Sequence, residues 1–94
     1  MHLSRVNRPG FETAQGVHFP MMNDAVSVRV VVSSEVLRTM TGSATARGLT
    51  VGFDTYRREF EAIARAKYAR GERGPLRINA SDILQFAAEQ LAKR

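Results

Sequence analysis

Arginine is the residue type whose number and spacing in this chain could do chemistry. Of the 14 cationic residues all but Lys67 and Lys93 are arginine, and nine acidic residues leave a net charge of +5. A guanidinium group makes bidentate contacts with phosphate and carboxylate that an ammonium group cannot make. Five of these arginines follow one another from a predicted helix into the next loop and strand: Arg58, Arg65, Arg70, Arg73 and Arg77.

We predict that these five residues form a face that binds an anion or a partner. On the helix, Arg58 and Arg65 share one side with Ala62 and Ala69, and these small residues would let a partner approach closely. The alternative is an ordinary solvated helix face, because Ala and Arg are both good helix formers.

Residues suited to catalysis or metal binding are few. The chain has no Cys, which excludes thiolate catalysis, disulfides and Cys-based zinc sites. His2 and His18 are too few to hold a metal ion, and we expect His18 to be an outward-facing surface histidine. Ser33, Ser34 and Ser81 each precede a helical pattern, where Ser serves as a cap, and none lies in a Gly-x-Ser-x-Gly elbow.

Phosphate loops and carboxylate pairs are also missing from the sequence. The segment 71–75 contains two glycines but lacks the Gly-Lys-Ser/Thr end of a P-loop. Glu59 and Glu61 lie two apart on a predicted helix and point away from each other. We therefore predict no catalytic residue, no metal site and no cofactor, and we expect the protein not to be an enzyme.

The elements that position these residues begin with two strands. Valines alternate at positions 26, 28, 30 and 32, a pattern typical of a strand with one buried face. The segment 17–19 also alternates and ends at Pro20. Because only a short turn separates the two segments, they are predicted to pair as an antiparallel hairpin.

Helices and a third strand follow. A short helix is predicted after Ser34, with Gly42 as its left-handed cap. A longer amphipathic helix is predicted from Phe53 to Ala69, with Asp54 as a possible cap and an ion pair between Glu61 and Arg65. The segment 76–78 reads as a third strand, and Ser81 and Asp82 open a terminal helix.

The element order is therefore β-β-α-α-β-α. It predicts an α+β fold, in which a small antiparallel sheet (the hairpin plus a third strand) carries helices packed on one face. Residues 1–12, which Arg8, Pro9 and Gly10 interrupt, are predicted to be a flexible N-terminal segment, and residues 13–94 a single α+β domain. The apolar faces of these elements predict a common core of Val28, Val30, Phe53, Phe60, Ile63, Ile78 and Ile83.

Two groups of residues carry a resemblance to a known family. One is the segment 17–19 followed by the valine-rich strand and Ser33 to Leu37; the other is Phe53 to Ala69 followed by 76–78, Asp82 and Ile83. Together they resemble the small bacterial proteins grouped as domain of unknown function family 1488. The resemblance implies a compact α+β fold in a bacterial cytoplasmic protein, and it carries over no active site.

The functional expectation is a non-enzymatic interaction module. Its partner would be an unknown protein or a second copy of the chain, because so small a sheet leaves an unpaired edge. The alternative is weak, sequence-independent nucleic-acid binding through the Arg-rich helix face, and an enzyme without a recognisable motif is the last reading. No small molecule and no membrane are predicted as partners, and a chain without a secretory signal or an apolar span is expected in the cytoplasm.

Overall fold

The computed structural model describes residues 3–42 and 46–92. Residues 1–2, which include His2, and residues 93–94 therefore lie outside the described residues. They are the outer ends of the two predicted segments, 1–12 and 13–94. The described residues form five strands and three helices in the order β-β-β-β-α-α-β-α. Their bounds are β1 (Ser4–Arg5), β2 (Phe11–Thr13), β3 (Gly16–Asn23), β4 (Val26–Ser33), α1 (Ser34–Thr41), α2 (Ala46–Ala69), β5 (Leu76–Ile78) and α3 (Ala80–Ala92).

The strands form one five-stranded sheet in the order β1-β3-β4-β5, with β2 also paired to β3. The α+β class is confirmed, and so is the antiparallel hairpin, in which β3 pairs with β4 along eight residues. The prediction of an antiparallel sheet is wrong in one respect, because β5 lies parallel to β4 and the sheet is mixed. The helices α1 and α2 lie between β4 and β5, and such a helical connection returns the chain to the same direction.

Residues 3–12 belong to the segment 1–12, whose flexibility stays a prediction, and they contain β1 and the start of β2. Within it, β1 pairs with Met21 and Met22, and β2 begins at Phe11. Two arginines of α2 hold the backbone of this segment. Arg57 donates to the carbonyl oxygens of Val6 and Arg8, between the two strands, and Arg65 donates to that of Leu3, just before β1. These long-range hydrogen bonds have no signature in the local sequence, which contains Pro and Gly.

The core lies between the sheet and α1 and α2. The predicted core residues are buried, except that Ile83 is only partly buried against the cluster. Val26 was expected in the core and is 61% exposed, because it stands at the last pair of the hairpin. The helix α2 starts at Ala46 rather than near Phe53, so Asp54 lies inside the helix and does not cap it.

A reciprocal cap starts α3. Asn79 Oδ1 accepts the Asp82 backbone N–H at 3.3 Å, and Asp82 Oδ2 accepts the Asn79 N–H at 2.9 Å. This is a capping box, in which two side chains satisfy backbone donors at the first turn. Asp82 Oδ1 also accepts from Lys67 Nζ on α2 at 2.9 Å. Asp82 thus both starts α3 and ties it to α2.

The two faces of the sheet have different surroundings. Residues alternate between the faces along each strand. One face carries Val17, Phe19 and Met21 of β3 and packs under the helices in the core. The other face carries the intervening residues; we call it the helix-free face, defined by the strand positions Phe11, Thr13, His18, Pro20, Met22, Ser27, Arg29, Val31 and Arg77.

Candidate partner-binding site

The predicted Arg face does not form one surface. Arg58 and Arg65 stand on α2 and line a cavity of about 530 Å³ together with Arg5. Arg77 stands on β5 and belongs to the helix-free face, on the other side of the sheet. The structure thus brings two of the five predicted residues together and separates Arg77 from them.

The cavity beside Arg58 contains carboxylates as well as cations. Glu59 and Glu61 are part of its lining, and both oppose an anion in this position. Arg65 is partly committed, because its Nε donates to the Leu3 carbonyl oxygen at 2.8 Å. This cavity therefore gives an anion a mixed electrostatic environment.

Glu61 is the centre of a buried ion-pair cluster. It is 3% exposed and accepts two hydrogen bonds from Arg5 Nε and one, at 2.7 Å, from Arg5 Nη2. Arg57 Nε lies 3.3 Å from its Oε2, so the i,i+4 partner of Glu61 is Arg57 and not the predicted Arg65. Burial alone would raise the pKa of Glu61, but the hydrogen bonds and charges of Arg5 and Arg57 outweigh it and lower that pKa.

Arg70 and Arg73 are occupied close to the end of α2. Arg70 lies 3.5 Å from Glu72 in an exposed ion pair. Arg73 Nη1 donates to the carbonyl oxygens of Tyr68 and Glu72, and its guanidinium lies 4.2 Å from the centre of the Tyr68 ring. Both residues therefore stabilise the turn after the helix.

Among the side chains that the structure describes, those of 3–40, 42 and 48–92, some guanidinium groups have no hydrogen-bond or ion-pair partner. On the helices these are Arg38 and Arg58, and both are exposed. The other three border the helix-free face of the sheet: Arg8, Arg29 and Arg77. The unpaired cations are thus concentrated at the face that no helix covers.

The register of the strands builds this face in rows. Phe11 of β2 stands opposite His18, His18 opposite Val31, and Val31 opposite Arg77 of β5. Arg29 stands in the neighbouring row, opposite Pro20. No Asp or Glu occupies the strand positions that define the helix-free face. The face therefore combines positive charge with an aromatic side chain, Phe11, that is 52% exposed.

His18 lies within this face but is buried. It is 5% exposed, which corrects the expectation of a surface histidine. The Phe11 ring stacks on its imidazole at 5.2 Å between centroids, and Thr13 Oγ1 lies 2.7 Å from its Nε2. Its Nδ1 has no hydrogen-bond partner. Burial lowers the pKa of His18, and the Arg29 charge lowers it further.

A cavity of about 250 Å³ opens beside His18. It lies between the connection from β1 to β2 and the hairpin, and its lining includes Arg8, Phe11, Pro20 and Arg29 as well as His18. On its other side, Arg29 lines a second cavity of about 410 Å³ together with Arg73 and Tyr68. Arg29 thus lines both of these cavities.

Comparison with family models decides which family the chain represents. The model described as "Protein of unknown function (DUF1488)" matches residues 9–78 of the 94 residues. The chain belongs to the DUF1488 family. No curated protein and no solved structure matches the chain significantly. The matched range spans β2 to β5, so that β1 and α3 lie outside it.

Sequence reasoning missed Arg8 and Arg29 in this DUF1488 protein. For Arg29 a signal existed, because Ser27, Arg29 and Val31 alternate with the buried valines and must share the opposite face of β4. The predicted fold, with helices on one face of the sheet, also left that opposite face uncovered. Arg8 gave no signal, since its position depends on the hydrogen bonds that hold the N-terminal segment against α2.

Two further findings concern the described residues. No group of three or more His, Asp or Glu side chains within 3–42 and 46–92 could hold a metal ion. None of the helices described is both long enough and apolar enough to cross a membrane.

Proposed function

We propose that this DUF1488 protein is a non-enzymatic interaction module that binds an acidic segment of a protein partner through the helix-free face. One observation carries the proposal: three guanidinium groups without partners, those of Arg8, Arg29 and Arg77, border a face whose strand positions hold no acidic residue. Complementary charge across an interface speeds association and selects the partner.

The size of the face favours a weak or transient complex. The strand β4 is eight residues long, so the face extends for about 26 Å along it. With four strands side by side, the area is on the order of 400 Å², roughly half of what one partner contributes to a standard interface. An extended acidic peptide segment fits such a surface better than a large globular partner.

The number of unpaired cations favours a protein over a nucleic acid. Non-specific duplex binding depends on many phosphate contacts, and three guanidinium groups would give a salt slope of only about −3. The alternative, nucleic-acid binding through the Arg-rich helix face, has weaker support because Arg65, Arg70 and Arg73 already have partners. Of that predicted face, Arg58 and Arg77 are unpaired among the described residues, and they lie on different layers of the fold.

Two of the buried ionisable groups, Glu61 and Lys67, support a non-enzymatic role. Glu61 is held by Arg5 and Arg57, and Lys67 by Asp82 and Glu72. A general base needs free access to the proton that it abstracts. Both side chains instead join elements of the fold: Glu61 joins β1 to α2, and Lys67 joins α2 to α3.

Binding of a labelled polyglutamate peptide of about ten residues tests the proposal, with polyglutamine of the same length as the neutral control. We expect polyglutamate to bind and polyglutamine not to bind in fluorescence anisotropy at low salt. Replacing Arg29 and Arg77 together by Gln should weaken binding by at least about fivefold, since each exposed charge contact contributes up to about 1 kcal/mol.

The matched control is the double replacement Arg38→Gln with Arg58→Gln. It removes the same charge from two exposed, unpaired arginines on α1 and α2. An equal loss in both double variants would show that only net charge matters and would overturn the assignment to the helix-free face. The nucleic-acid alternative would be supported instead if a labelled DNA single strand or duplex bound more tightly than polyglutamate. That binding should then be lost in the double variant Arg38→Gln with Arg58→Gln.

A further inference from the structure

We propose that the cavity beside His18 is a binding site for a small apolar acid, a compact apolar or aromatic body that carries one carboxylate or phosphate group. This site would take a free ligand, which goes beyond the binding of a protein partner proposed above. The two proposals share Arg29 but not Arg77, which lies outside the cavity. The experiments below separate them through that difference.

The first observation is the unsatisfied nitrogen of His18. Thr13 Oγ1 accepts the Gln15 backbone N–H at 3.2 Å and lies 2.7 Å from His18 Nε2. If the Thr13 hydroxyl donates to Nε2, the neutral imidazole carries its proton on Nδ1 and has a donor without an acceptor. A buried donor left without a partner costs about 1–3 kcal/mol, and a ligand oxygen would remove that cost.

The second observation is the charge around this nitrogen. Arg8 and Arg29 line the cavity, and neither guanidinium has a partner within the described residues. No acidic side chain is part of the lining that the structure describes. Two guanidinium groups and an imidazole N–H are the donors that an oxyanion requires, and hydrogen bonds of this charged kind are the stronger ones.

The third observation is the apolar part of the lining. Phe11, Pro9 and Pro20 provide apolar surfaces beside the donors. The volume of about 250 Å³ is below that of a typical pocket for a drug-sized ligand and suits a single ring with one acidic group. The combination favours an apolar acid over inorganic phosphate, which would leave these surfaces uncovered.

Access to Nδ1 depends on Phe11. The Nδ1 atom is buried, whereas Phe11, stacked on the imidazole, is 52% exposed and stands on a strand of three residues. Rotation of the Phe11 ring would admit the ligand, and the ring could then pack against the ligand as it now packs against the imidazole. The bound oxyanion would accept the Nδ1–H of the neutral imidazole, while Nε2 keeps its hydrogen bond to Thr13.

Benzoate and its neutral analogue benzamide test the site by NMR titration at about pH 6.5, followed at the His18 imidazole and the Phe11 amide. We expect benzoate to bind with a Kd on the order of 1 mM, and benzamide at least about tenfold more weakly. Bound benzoate should raise the pKa of His18, because its carboxylate offsets the Arg29 charge that lowers that pKa. Inorganic phosphate is expected to bind more weakly than benzoate.

Arg29→Gln should weaken benzoate binding by at least about fivefold. Arg77→Gln is the matched control on the same face and should change it by less than about twofold. Both residues are exposed and unpaired, so both variants are expected to fold. Equal binding of benzoate and benzamide, equal losses in the two variants, or an unshifted His18 signal at about 50 mM benzoate would each overturn the site.

Polyglutamate binding separates the two proposals, because Arg77→Gln should weaken it and leave benzoate binding unchanged. If polyglutamate fails to bind and benzoate binds as expected, the small-ligand site stands and the interaction face falls.

Discussion

Phe60 shows at the scale of one residue how the core fixes the orientation of α2. It is fully buried and stacks on Phe53 at 5.9 Å between ring centroids. Two positions earlier, Arg58 is exposed and has no partner within the described residues. We expect Phe60→Ala to lower the free energy of unfolding by about 3–5 kcal/mol. Arg58→Ala should change it by less than about 0.5 kcal/mol in the same urea denaturation series, and equal effects would contradict this orientation.

Glu61 predicts a dependence of stability on pH. Its pKa is lower in the folded chain than the unfolded value of about 4.3, so its contribution to stability is complete above that value. The contribution is lost as the pH falls through the folded pKa. At neutral pH, Glu61→Gln should lower the free energy of unfolding by about 1–2 kcal/mol, between the values for exposed and buried ion pairs, because the Arg5 side chain is 48% exposed.

Urea denaturation of wild type and Glu61→Gln across the acid range measures this effect. The difference between the two proteins should be constant above about pH 5 and shrink below about pH 4. Glu59→Gln, the same replacement at an exposed position of the same helix, should change stability by less than about 0.5 kcal/mol at any pH. A difference for Glu61→Gln that does not vary with pH would contradict the role of its charge.

At the scale of elements, α3 is the most weakly held helix. None of its residues is fully buried, and only Ile83 and Phe86 pack partly against the core. Its attachment depends on Asp82, which caps the helix through Asn79 and pairs with the buried Lys67 of α2. Elements with few buried contacts open locally at a free energy below that of global unfolding. We therefore expect the amide protons of α3 to exchange faster than those of central α2.

Asp82→Ala should increase the difference in amide exchange rate between α3 and central α2. The reason is that it removes both the cap, worth about 1 kcal/mol, and the ion pair. Hydrogen exchange followed by NMR should show lower protection in α3 and unchanged protection around Phe60. Gln90→Ala, an exposed position on the same helix, is the control and should change neither. Equal loss of protection in α2 and α3 after Asp82→Ala would mean that α3 unfolds only together with the whole domain.

An element can be predicted from the sequence when the contacts that form it are close together along the chain. Local patterns were sufficient for the β3–β4 hairpin and for the Gly42 cap, which adopts φ 71°. The parallel docking of β5 was missed, although the two helices predicted between β4 and β5 allow the chain to return in the same direction. The strand β1 was not predictable, because it depends on Arg57 and Arg65, more than 40 residues away along the chain.

The candidate site was less predictable than the fold for the same reason. Alternation in β4 shows that Arg29 faces away from the valines, but the burial of His18 depends on the pairing of β2 with β3. Near the start of β3 the backbones of β3 and β4 lie so close that a side chain on Gly16 would collide with the Val32 carbonyl oxygen. Long-range pairing of this kind leaves no periodic signal in the sequence.

At the scale of the whole molecule, one covered and one bare sheet face give a flat shape. The principal extents are 35 × 34 × 19 Å, and the shortest is close to the thickness of one sheet with one layer of helices. The bare face carries unpaired arginines, so two copies that met through it would bring like charges together. The β5 edge is three residues long with Arg77 at its centre, and short charged edges resist pairing with another strand.

The exposed large apolar side chains among the described residues are spread over four elements: Phe11 on β2, Val26 on β4, Val51 on α2, and Leu84 and Leu91 on α3. Scattered apolar residues are ordinary on a monomer. We therefore expect light scattering coupled to size-exclusion chromatography to give the mass of one chain, 10.4 kDa, at about 100 μM and physiological salt. Twice that mass would contradict the prediction and support self-association. Since Leu84 and Leu91 lie seven positions apart on one side of α3, replacing both by Glu would then show whether that helix forms the interface.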